Sequence, residues 1–264
     1  MRISPALLLA LLVHWLTPSQ QLRSLRSVPL RSAAPQRLAS TQQQVDPHES
    51  FSPLEKLLFA RFADSVYTEI RIGSSSSSSG SARAASSRPR NYSELIAMIN
   101  AMTAANPRPV VHAKAKSMLV RLFPSWLLPQ YRWMFAAPFP RFSAWMNAWV
   151  TKFATRWLMG PSEVQDLQLD TGGPPLRQQL LVIEKCRFLE QAGCMQTCLH
   201  ACKVPTQDFF WQEMGLPVAI RPNATDFSCR FEFGVAPAPP EEDPAFGLPC
   251  LQQCARAAAC GELK

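Results

Sequence analysis

Cysteine spacing is the feature that most limits how this chain can fold. Residues 186–210 read CRFLEQAGCMQTCLHACKVPTQDFF, in which Cys194, Cys198 and Cys202 recur every fourth residue. The residues between them are good helix formers, and Pro205 is expected to end that helix. On a helix the three thiols share one face, with neighbouring Cβ atoms about 5–6 Å apart. A disulfide needs about 3.5–4.5 Å between Cβ atoms, so these three cannot readily bridge one another. They remain free to bridge outward, to stay as buried thiols, or to meet a soft metal ion such as zinc or iron. The spacing is neither a zinc-ribbon nor a ferredoxin spacing and does not name the metal. Cys186, Cys229 and the group Cys250, Cys254 and Cys260 complete an even count of eight. His200 stands two residues before Cys202, which turns it away from the cysteine face by roughly 160–200°.

The N-terminus bears on the choice between disulfide and metal. Residues 5–16 form a twelve-residue apolar run, too short to span a bilayer comfortably and suited to a signal-peptide core. The segment that follows is rich in Arg and Ser and free of acid, as organellar transit peptides are. Together they predict targeting to a plastid behind extra membranes, with residues 1–45 removed. The alternative is a secretory signal with a pro-region and a disulfide-stapled product, which the even cysteine count and the sequons at Asn91 and Asn223 would suit. Five arginines and no acid lie in residues 1–45, and without them the net charge falls from +8 to +3. A nucleic-acid footprint needs basic charge concentrated on a folded face, so no nucleic-acid partner is expected.

The pattern beyond residue 45 predicts an α+β protein: a helical N-terminal half packed with a Cys-rich α+β C-terminal domain over 172–264. Helices are expected over 46–72, with Leu54, Leu57, Leu58, Phe62 and Val66 as the buried stripe, and over 91–106 and 108–124. Residues 73–90 are a Ser-rich insert expected to be disordered. Residues 91–171 form a helical, Trp-rich region. Within it Trp145, Trp149, Phe153 and Trp157 recur every fourth residue and are expected on one helical face, in a helix stopped by Gly160-Pro161. Between Glu94 and Glu163 there are eight bases and no acid. That segment reads either as an aromatic core helix or as a basic, Trp-rich surface that lies on anionic lipid and admits apolar substrate. Short strands are expected at LLVIEKC, GLPVAIRP and DFSCRFEFG, the last with Phe227, Cys229, Phe231 and Phe233 turned inward. Thr206 is a candidate N-cap for a helix QDFFWQEM. No nucleotide-binding Gly-rich loop, G-x-S-x-G elbow or H-E-x-x-H is present.

The stretches EKCRFLEQAGCMQTCLHACKVPTQDFF, GLPVAIRPNATDFSCRFEFG and EEDPAFGLPC, with WLMGPSEV and NYSELIAMINAM, resemble the plastid β-carotene isomerase family over roughly residues 51–264. These are the enzymes that open the strigolactone pathway in plants. The resemblance implies reversible all-trans to 9-cis isomerisation of a carotenoid, plastid stromal residence with peripheral membrane contact, and an iron cofactor, mononuclear or iron–sulfur. The resemblance does not say how the iron is bound; from the cysteine pattern itself, Cys194, Cys198, Cys202 and Cys229 are the leading candidate ligands, with Cys186, Cys250, Cys254 and Cys260 next. Trp145, Trp149, Phe153 and Trp157 become the substrate and membrane face. The Ser-rich insert and the bipartite leader depart from the family, which loosens the substrate assignment more than the reaction class. A non-catalytic carotenoid or lipid carrier with a structural metal is the alternative. Nothing in the sequence sets an oligomeric state.

Overall fold

A computed structural model describes residues 46–74, 87–169 and 172–248, so the targeting segment, most of the Ser-rich insert and Cys250, Cys254 and Cys260 lie outside the described residues. Helix α1 is Pro53–Ser74. Its buried face is Phe59, Ala63 and Val66, while Leu54 and Leu57 are exposed. Of the expected stripe, Val66 is buried and Leu58 and Phe62 pack against the core, while Leu54 and Leu57 fall outside it because the first turn of α1 lies beyond the core edge. The insert also does not open at residue 73, since α1 runs through Ser74. Near its far end Arg88 donates to the Ala60 carbonyl and pairs with Asp64 at 3.5 Å, so this residue is anchored to α1.

Helix α2, Tyr92–Ala105, starts from Asn91, whose side chain accepts from the Glu94 N–H at 2.8 Å. Asp46 adds a second cap from outside, accepting from the N–H groups of Tyr92 and Ser93 at 3.2 and 2.9 Å. Helix α3 is Arg108–Val120 and α4 is Leu127–Tyr131, which runs into a π-helical turn, Arg132–Ala136. Helix α5 is Pro140–Met159 and stops at Gly160, as the sequence predicts.

Four strands follow: β1 Glu163–Leu167, β2 Leu176–Ile183, β3 Val218–Pro222 and β4 Cys229–Phe233. They form an antiparallel sheet in the order β1-β2-β4-β3. Three were expected, and β1 was not: it is an edge strand with one buried residue, Leu167, so it lacks the apolar alternation that marks a strand. On β4, Cys229, Phe231 and Phe233 are buried and Arg230 is exposed. Glu232 breaks the alternation because Arg221 on β3 meets its carboxylate at 2.9 Å.

Between β2 and β3 lies the cysteine segment. Helix α6 is Arg187–Ala192. After it α7, Met195–Thr197, a π-segment Cys198–Lys203, α8, Val204–Asp208, and a second π-segment Phe209–Glu213 join into one helical rod over 195–213. Pro205 does not end the helix. A proline ring opposes the carbonyl four residues back in an α-helix; here it follows a π-turn, whose wider i→i+5 pattern leaves it room. Thr206 is consequently inside the rod rather than an N-cap.

The rod ends at Gly215, where the backbone has φ +70° and a Cβ would lie 2.8 Å from Arg132 Cγ. Both facts demand glycine at that turn. All described residues fall in one unit, 44–264, and its core runs without a break from the helices to the inner face of the sheet.

Candidate functional site

Sheet register brings two distant cysteines together. Cys229 opens β4 opposite Ile183, the last residue of β2, and Cys186, three residues on, donates its N–H to the Phe227 carbonyl at 2.7 Å. Cys198 and Cys202 of the first π-segment lie within electrostatic reach of this pair. Cys186, Cys198 and Cys229 are buried, Cys202 is half-buried, and all four are free thiols, so the outward-bridging alternative is not realised among them. Cys194 is not in the group's helix. Gly193 ends α6, and Cys194 takes an extended conformation as the N-cap of α7, with φ −146° and ψ 117°. Cys198 and Cys202 are thus joined by Cys186 and Cys229, which the spacing alone did not place beside them.

Burial sets the state of these thiols. Desolvation pushes Cys202 up to about 12, with the neighbouring Cys186 adding to the shift. It holds Cys198 and Cys229 well above the ordinary thiol range, and it raises Cys186. Lys203 works the other way, lowering Cys198 and Cys229. Its side chain is 2% exposed, and its ammonium pairs with Asp243. Asp243 is itself held as the N-cap of a 3-10 turn, Pro244–Gly247, through the Ala245 N–H at 3.0 Å. Four thiols beside a buried cation are a donor set with the chemistry soft metals select. Among the described residues no three His, Cys, Asp or Glu side chains are already gathered as a metal site.

An apolar cavity of about 50 Å³ adjoins the thiols. Ile99 and Met102 of α2, Met118 of α3, Met159 of α5 and Phe188 of α6 line it, and its polar groups are Cys202 and Thr206. The Thr206 side chain hydrogen-bonds Cys202. Cys202 therefore belongs both to the thiol group and to the cavity wall. Three of these lining residues are methionines, whose unbranched side chains repack at small cost.

His200 points away from the thiols, as its spacing predicts. What the spacing did not reveal is its partner, since His112 is 88 residues distant in the chain. His112 Nε2 and His200 Nδ1 are 2.8 Å apart, and His200 Nε2 reaches Gln196 Oε1 at 2.9 Å. The Gln196 oxygen can only accept, so His200 carries its proton on Nε2 and His112 donates from Nε2. Burial lowers His200 to about 4, helped by His112 and Arg108.

The Trp-rich face is split. Trp157 is 3% exposed, ringed by Phe51, Phe59 and Phe62 with centroids at 6.2, 5.7 and 5.6 Å. Phe153 is 63% exposed and Trp145 is also exposed. Trp149 between them is half-buried, so only the C-terminal end of the stripe enters the core. Trp145 and Trp149 both donate their indole N–H to Gln178 Oε1, at 2.7 and 3.2 Å.

Residues 157–242 match the family described as beta-carotene isomerase D27-like, C-terminal, a span that holds all four thiols and Lys203. The chain is 30% identical over 197 residues to the protein of Arabidopsis thaliana named beta-carotene isomerase D27, chloroplastic, covering 74% of this chain and 73% of that one. It is 39% identical over 98 residues to the protein of the same name from Medicago truncatula, covering 37% and 38% of the two chains. No solved structure matches the chain.

Proposed function

The chain belongs to the β-carotene isomerase D27 family, and on that premise we propose that it is a plastid carotenoid cis–trans isomerase, turning an all-trans polyene into its 9-cis isomer beside Cys202. One observation carries the reading: Cys202 closes the apolar cavity on one side and joins the group of buried thiols on the other. A polyene double bond rotates only when its π character is briefly weakened, so the reactive group must reach the polyene while water is kept from it. The apolar lining excludes water, and Thr206 fixes the direction of the Cys202 sulfur. Lys203 offsets negative charge on Cys198 and Cys229. Iron, held by Cys186, Cys198, Cys202 and Cys229 as thiolates, would supply one-electron exchange when bound. So apolar a substrate is collected by peripheral contact with plastid membrane.

The test is to incubate the protein with all-trans β-carotene in detergent micelles, in the dark and without oxygen, and to separate the isomers. The wild type is expected to form the 9-cis isomer. Cys198→Ser should lower iron content and activity together, because hydroxyl is a poor ligand for a soft ion. Retention of carotenoid without isomerisation would instead establish the carrier reading, and an unchanged iron content in Cys198→Ser would remove that residue from the ligand set.

A further inference from the structure

The segment between α3 and α5 folds as a knuckle that turns its large apolar side chains outward. Trp133 is 82% exposed, Trp126 60% and Phe139 59%, and Met134 and Phe142 are exposed beside them. The Phe142 ring continues the patch onto α5, meeting Trp145 at 5.7 Å between centroids. The knuckle is firmly backed. Leu128, Tyr131 and Ala136 are buried behind it, and the Tyr131 hydroxyl sits 2.6 Å from both Ser143 Oγ and Asn147 Nδ2 of α5. A contiguous exposed patch on a well-packed support marks an interaction surface rather than a failure of burial.

Charge selects the partner. No acid lies between Glu94 and Glu163. Of the bases there, Lys116, Arg121 and Arg156 are matched to Glu213, Glu69 and Glu55. Arg132, Arg141 and Lys152 have no carboxylate partner among the described residues. Glu213, two residues before the Gly215 that Arg132 lies against, is itself paired with Lys116 at 2.6 Å, and Asp166 accepts the Gln178 N–H at 2.9 Å, beside the Gln178 side chain that holds Trp145. A second copy of the chain would set this basic patch against itself. Anionic headgroups over an interfacial zone satisfy both features, since tryptophan favours that zone and cations favour the headgroups.

We propose that residues 122–142 are the membrane-seating surface of this protein. Trp126, Trp133, Met134 and Phe139 enter the interface of an anionic bilayer, and Arg132 and Arg141 lie on its headgroups. No described helix is long and apolar enough to cross a membrane, so the contact is peripheral. The Arg132 stem lies against Gly215, which connects the knuckle to the end of the cysteine rod. That this surface delivers polyene to the cavity rests on the isomerase reading; the surface itself does not.

The chain from Gln44, the unit that holds every described residue, is sedimented with vesicles of phosphatidylcholine alone and of phosphatidylcholine with phosphatidylglycerol. Binding is expected to the anionic vesicles and to weaken with salt. Trp133→Ser/Phe139→Ser should lower that partition about tenfold or more, while isomerisation of detergent-solubilised carotene is retained. Arg132→Gln/Arg141→Gln should remove the preference for anionic vesicles even if the first variant fails to fold. Equal binding to both vesicles, undiminished binding by the variants, or a solution dimer that the variants abolish would overturn the proposal. A wild type that binds anionic vesicles but isomerises nothing in detergent would defeat the isomerase reading and leave the surface standing.

Discussion

Lys203 is the side chain whose loss this site would tolerate least. An ammonium buried to 2% exposure is stable only because Asp243 meets it, and removing one member of such a pair strands the other charge away from water. Lys203→Met is expected to lower stability by about 3–5 kcal/mol, read from the denaturant midpoint. It should also slow alkylation of Cys198 and Cys229 at a given pH, because the cation that lowers both is gone. The double variant Lys203→Met/Asp243→Leu should regain much of the stability, since a buried pair can often be exchanged for apolar residues at little cost. An unchanged midpoint in the single variant would show that Asp243 finds water or another partner.

At the scale of elements, the turn at Gly215 and the two π-segments decide where the thiols lie. Gly215→Ala places a side chain at φ +70° and should cost about 1–2 kcal/mol, with Arg132 displaced. A thermal melt checks this, and an unshifted midpoint would show that the turn relaxes freely. Elements set by local rules were legible: the helix that opens at residues 91–92, the stop of α5 at Gly160, and the period-two inward face of β4 at Cys229, Phe231 and Phe233. The site was only partly so. A cysteine every fourth residue fits an α-helix and a π-helix alike, and packing rather than spacing chose the π form around Cys198 and Cys202. That same packing carried the helix through Pro205 and left Cys194 outside it. The approach of Cys186 to Cys229 depends on β2–β4 register, and that of His112 to His200 on helix packing, neither of which is encoded locally.

For the molecule as a whole, acid should act in two steps. His200 is lowered to about 4 and His112 is lowered as well, both chiefly by desolvation; Asp208 opposes the shift at His112, and Arg108 adds to it at both. The unfolded chain binds protons near the ordinary 6.5, so stability is full above that pH and is lost as pH falls from about 6.5 to about 4. Asp46 acts lower. Desolvation would raise it, but hydrogen bonds led by the Ser93 hydroxyl outweigh that and hold it below its usual 3.8. Its contribution is present above 3.8 and lost as pH falls through the lower folded value. Melting temperature against pH should show both falls, and His112→Phe/His200→Phe should erase the first. A single fall that survives in that variant would assign acid lability elsewhere.

Trp157 sits in its ring cage, and Phe62, one of those rings, also lines the cavity, while Trp126, Trp133 and Trp211 face outward. The protein thus carries two populations of fluorophore. The caged indole emits toward the blue and is shielded from a dissolved quencher; the outer ones emit toward the red and are not. A polyene in the cavity would draw excitation from the first, and a lipid surface would blue-shift the second, so one emission spectrum separates capture of the guest from docking of its carrier by colour alone.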